Sequence, residues 1–117
     1  MNNSILRNKT KEFAKKIVLL AKDFRENKKE YVLSNQLLRS GTSIGANVHE
    51  ANYAQGYADF ISKLEIALKE CFETEYWLEL LYETGYLIES EYKTLNLECG
   101  LIRKILIKSC TTAKSNE

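Results

Sequence analysis

Residues 41–45 read Gly-Thr-Ser-Ile-Gly, a G-x-S-x-G spacing, and His49, the only histidine in the chain, follows four residues later. That spacing is the nucleophile elbow of α/β-hydrolases, where a sharp strand-to-helix turn lifts a serine oxygen towards its base. The elbow needs a β-rich segment before Ser43, and none precedes it. Gly41 and Ile44 instead continue an apolar helical stripe, and His49 is turned well away from Ser43 on that helix. The spacing is therefore read as coincidental and no catalytic residue is assigned. Metal chemistry lacks its ligands as well. Di-iron bundles need Glu-x-x-His pairs, whereas Ala46 stands three residues before His49 and no second histidine exists. No glycine-rich phosphate loop follows a strand. No metal and no cofactor are expected.

Two polar features remain. Gln36, Ser40, Ser43, Asn47 and Glu50 recur at steps of four and three beside the apolar face of one helix. Such a half-buried polar row costs stability unless it is hydrogen-bonded. Glu75 projects within the arc of Leu64, Leu68, Leu78 and Tyr82 on the following helix. Antiparallel packing about residues 55–58 sets Glu75 level with Leu37. The expectation is a structural polar network of Gln36, Arg39, Ser43, Asn47, Glu50 and Glu75, with Glu75 paired to Arg39 or to the Gln36–Ser40 row. Removing one member of a buried pair costs about 3–5 kcal/mol.

The elements that must carry these residues are helices. The 117 residues contain no proline and only five glycines, which disfavours turn-rich β folds. Leu6, Thr10, Phe13, Ile17, Leu20 and Phe24 mark one helical face. Leu33, Leu37, Gly41, Ile44, Val48 and Ala51 mark a second. Phe60, Leu64, Ala67, Cys71, Thr74, Leu78 and Leu81 mark a third, and Tyr92, Leu95, Cys99, Ile102 and Leu106 a fourth. Asp59 and Ser90 are candidate N-caps. Gly85 suits the position after the third helix, with Leu87 folding back. The reading is all-α: one antiparallel up-down-up-down four-helix bundle over 1–117, with helices at roughly 5–25, 31–54, 59–84 and 90–110. The small residues Gly41, Gly45 and Ala46 allow a neighbouring helix to come close.

Cys71, Cys99 and Cys110 lack C-x-x-C spacing and read as small core residues of a reduced, cytoplasmic protein. The start of the chain shows no apolar signal region, and the longest apolar run, residues 17–21, is far too short for a membrane span. The net charge is only +1, yet residues 7–29 carry nine basic residues against three acidic, and residues 50–98 eleven acidic against three basic. This contrast fits two solvated faces, a contact with an acidic neighbour in an oligomer, or a basic surface for nucleic acid. Lys15, Lys16 and Lys22 are the candidate nucleic-acid residues, with help from Arg103, Lys104 and Lys108. Tyr53, Tyr57, Tyr76 and Trp77 fall outside the core pattern, as interface residues do or as side chains lying over neighbouring helices.

Residues 36–87 resemble the bacterial four-helix-bundle family named after proteins encoded in intervening sequences of large-subunit ribosomal RNA genes. Gln36, Arg39, Ser43, Ile44, Asn47, Glu50, Ile66, Ala67, Leu68, Glu75, Gly85 and Tyr86 match its pattern. Gly45 replaces a proline, Leu38 an arginine and Ala51 a glycine. The resemblance extends over roughly residues 5 to 110. It implies the bundle and a homo-oligomeric ring, a pentamer being the best single number. A more distant likeness to the accessory protein of diversity-generating retroelements implies a link to RNA. Three functions follow as expectations: a non-enzymatic homo-oligomeric scaffold that binds itself and a protein partner, an RNA- or DNA-binding accessory factor, and an enzyme with an unrecognised site. The first is preferred.

Overall fold

A computed structural model describes residues 3–116, with side chains from residue 5 onward. Four helices follow one another: α1 (Asn3–Glu26), α2 (Val32–Ala51), α3 (Tyr57–Glu83) and α4 (Glu89–Ser115). The bundle measures 47 × 22 × 19 Å, somewhat longer than the ~40 Å that a 27-residue helix spans at about 1.5 Å per residue. Each helix packs on the next, and α1 and α4 touch least. Every seam is antiparallel. Arg39 bridges to Glu70 while Glu50 bridges to Lys63. Glu65 meets Lys114 while Tyr82 stacks on Tyr92. Lys16 meets Glu98. The fold is the expected all-α, up-down-up-down bundle.

The core follows the four-three pattern. Phe13, Ile17, Phe24, Leu37, Ile44, Ala67, Cys71, Leu78, Leu81, Cys99 and Leu106 are fully buried. A Cβ at Gly41 would lie 2.9 Å from Ile17 Cγ2, and one at Gly45 3.3 Å from the Thr10 carbonyl oxygen. The two glycines thus set how closely α1 and α2 approach. All three cysteines are free and buried. The hydrogen bond with Cys71 and burial push the Cys99 thiol well above its ordinary range, which keeps it protonated and inert.

The helix ends differ from expectation. Gly56, not Asp59, occupies the N-cap of α3, and Asp59 in the first turn accepts the Gln55 N–H at 3.3 Å. Ile88, not Ser90, precedes α4, and Glu91 accepts its N–H at 3.2 Å. Glu30 serves α2, taking the Leu33 and Ser34 N–H groups at 3.0 and 2.8 Å. In each case a carboxylate reaches an otherwise orphaned donor near the positive end of the helix. α4 runs five residues past its expected end because its stripe continues through Ser109, Cys110 and Ala113, which are buried opposite the start of α3. α2 ends three residues early, in a turn at Asn52 and Tyr53. Gly85 adopts φ 86°, and Leu87 folds back with its N–H 3.2 Å from the Leu81 carbonyl.

Candidate interaction surfaces

Glu75 does not meet Arg39. Residues 70, 73 and 77 flank one side of the buried strip of α3 and face α2, whereas Glu75, about 100° round the helix from Thr74, flanks the other side and faces α4. Its carboxylate takes the Arg103 Nε–H at 2.8 and 3.2 Å. Both side chains are only partly buried, at 21% and 27% exposure. The bond to Glu75 raises the Arg103 guanidinium further above its ordinary value. Arg103 also lies over the Phe72 ring at 5.5 Å. It was expected to assist a nucleic-acid surface, but it is spent on this pair.

Arg39 binds two carboxylates of α3, Glu70 at 3.2 Å and Glu73. Glu73 in turn accepts the Trp77 indole N–H at 2.9 Å. Of the polar row on α2, only Ser40 is buried, with Thr74 as its partner across the seam: their oxygens lie 3.0 Å apart. Thr74 also lies 2.7 Å from the Glu70 carbonyl. Because each hydroxyl has one proton, Ser40 donates to Thr74 when Thr74 donates to Glu70. Ser43 and Asn47 turn back onto their own helix, donating to the Arg39 and Ser43 carbonyls at 2.7 and 2.8 Å. Glu50 pairs with Lys63 at 3.2 Å, and Gln36 is exposed. The expected single network is thus four separate arrangements: a buried hydroxyl pair, an α2–α3 surface cluster around Arg39, a Glu50–Lys63 bridge near the α2–α3 turn, and an α3–α4 pair at Glu75. Sequence spacing missed Thr74, Glu70, Glu73 and Arg103 as partners. The signal for Thr74 was its place in the apolar stripe opposite Ser40.

The basic candidates on α1 are exposed, and two of them have carboxylate partners. Lys15 pairs with Glu12 at 3.1 Å and Lys16 with Glu98 at 2.5 Å. Lys22 is exposed on the flank of α1 towards α2, where it lines a groove with Leu38, beside the outward-pointing Leu19, which is 67% exposed. α1 and α3 do not pack on each other: each is flanked by α2 and α4. Their outward faces therefore point to opposite sides of the bundle. On α3 that face presents Ile66, Phe72 and Tyr76, at 39%, 53% and 58% exposure, beside Glu79 and Glu83. Trp77 packs against the core and meets Tyr76 edge-on at 5.0 Å. Among the described residues no helix is long and apolar enough to cross a membrane.

Fold and surfaces define a helical-bundle protein with no metal-binding cluster among the described residues. The chain belongs to the family of 23S rRNA-intervening sequence proteins, whose sequence profile it matches over residues 2–108. It is also similar to a protein of unknown function from the S23 ribosomal protein family of Bacteroides thetaiotaomicron VPI-5482, solved at 1.70 Å. The two share 50% identity over 95% of this chain and 99% of that chain, with a TM-score of 0.92. No curated protein gives a significant match.

Proposed function

We propose that the protein is a non-enzymatic, homo-oligomeric scaffold of the cytoplasm, assembled head to tail through the outward faces of α1 and α3. The observation that carries this reading is the diagonal placement of two complementary faces on one bundle. One carries Lys22 and the Glu12-paired Lys15 around Leu19; the other is acidic and aromatic, with Phe72 and Tyr76 beside Glu79 and Glu83. Apolar side chains gathered on an exposed face mark contact sites, and opposite charges fix orientation and partner choice. A contact between two different faces cannot close on itself as a two-fold dimer. Repeated, it makes a ring where the rotations close. The family resemblance supports five as the number of subunits.

Nucleic-acid binding through Lys15, Lys16 and Lys22 is the weaker reading, because Glu12 and Glu98 already neutralise two of the three. The test of the scaffold is a pair of face variants, Leu19→Arg and Tyr76→Arg. Each is expected to shift the sedimenting species to the single-chain mass while leaving the melting transition in place. Assembly that survives both substitutions would refute the assigned faces.

A further inference from the structure

A groove runs along the α1–α2 seam, with a volume of about 650 Å³. Its α1 wall is Arg7, Thr10, Lys11 and Ala14; its α2 wall is Thr42, Gly45, Ala46 and His49. Both sets follow the i, i+3, i+4, i+7 spacing of one helical face. The middle of the groove is open because the side chains there are small, and the helices come together at Gly45 and Thr10. The ends carry the long polar groups.

Charge and shape coincide in this groove. Arg7 and Lys11 line one wall of it together and, like Lys9, Lys22, Arg25, Lys29, Lys69, Lys104 and Lys108, have no ion-pair partner among the described residues. The one carboxylate in the lining, Glu50, is held by Lys63 at 3.2 Å. The groove also opens at the positive end of the molecule. Residues 3–14, 43–69 and 103–116, which form the end around the α2–α3 turn, hold nine Lys and Arg against four Asp and Glu. Residues 15–42 and 70–102 hold eight against eleven. The ring of His49, a lining residue, lies 5.3 Å from the ring of Tyr53 just outside the groove, which is 72% exposed. Two unpaired cations one helical turn apart, next to an exposed pair of aromatic rings, offer a place for a phosphate and a surface for a planar base.

We infer that this groove binds a nucleotide unit, with its phosphate at Arg7 and Lys11 and its base stacked against Tyr53 and His49. The unit comes either from a free nucleotide or from a single-stranded nucleic acid. The site lies on the α1–α2 seam, whereas assembly is assigned to the outward faces around Leu19 and Tyr76; Lys22 shares the α2-facing flank of α1 with Lys11, about three turns further on.

The test is fluorescence anisotropy of the full chain with a labelled oligouridine strand of about twenty nucleotides, at about 50 and 200 mM salt. All substituted side chains are exposed, and a melting curve for each variant checks the fold. Arg7→Ala/Lys11→Ala is expected to weaken binding at least ~10-fold and to reduce the slope of log K against log salt by about 1.4, two contacts at ~0.7 each. Tyr53→Ala weakens binding about 5-fold or more, whereas Tyr53→Phe retains it. Arg25→Ala/Lys29→Ala, at the other end of α1 and in the turn after it, stays within about twofold. Displacement of the strand by excess uridine monophosphate identifies a single nucleotide as sufficient; retention of the strand identifies the polymer as the ligand. No binding at low salt overturns the inference. So does an equal loss from the Arg25/Lys29 variant, which would mean diffuse attraction with no site. Sedimentation of the Arg7/Lys11 variant, expected to match the unsubstituted protein, separates failure of the groove from failure of assembly.

Discussion

Glu75 and Arg103 show how a single turn of angle changes a partner. An isolated buried carboxylate on the α2 side would make removal cost about 3–5 kcal/mol. The pair that exists is two-contact but reaches water on both members. Solvent screens it, and water can take over either charge once the other is gone. Glu75→Ala should therefore cost only about 1–2 kcal/mol, a drop of roughly 4–10 °C in melting temperature for a chain of this size. In a double-mutant cycle with Arg103→Ala, the coupling energy should be near 1 kcal/mol. Additive single effects would show that the ion pair contributes nothing. The sequence made it legible that Glu75 stands beside a buried strip. It did not show which flank, because two residues within the same apolar arc can face different neighbours, and long side chains such as Arg103 reach across a turn.

The stripes and loops of the four helices were readable because burial dictates the four-three spacing, and nothing in the chain opposes it. The caps were less so. Asp59 and Ser90 have suitable chemistry, but helix starts here are served by carboxylates reaching back from the first turn or forward from Glu30. Backbone conformation was also hidden at one position. Lys29, after α1, adopts φ 54°, and the Glu30 N–H closes on the Phe24 carbonyl at 3.0 Å. A left-handed lysine carries a steric cost that glycine avoids. Lys29→Gly should raise stability by about 0.5–1 kcal/mol, read as a shift of the urea midpoint at constant m-value. A destabilised variant would show that the Lys29 bond to the Glu26 carbonyl, at 2.9 Å, outweighs the strain. Gly41→Ala tests the opposite case. Its gain in helix propensity is up to about 1 kcal/mol. The new methyl meets Ile17 at Cγ2, Cγ1 and Cβ, and such overpacking costs about 1–3 kcal/mol. A net loss near 1–2 kcal/mol is expected, and a more stable variant would mean that α1 moves away without penalty.

For the whole molecule, the arrangement of surfaces matters more than their sum. A net charge of +1 hides a basic outer face on α1, an acidic and aromatic one on α3, and a positive end at the α2–α3 turn. The contrast between α1 and α3 was visible along the chain. Their diagonal placement and the pairing of Lys16 with Glu98 were not, since both depend on how the helices pack. The account rests on those two outer faces meeting between copies. Sedimentation equilibrium of the unsubstituted protein at micromolar concentration, in low and high salt, tests this most directly. The predicted result is one assembled species at low salt, five times the 13.5 kDa chain mass, loosening as salt screens the facing charges. A species of single-chain mass at every salt concentration would contradict the account.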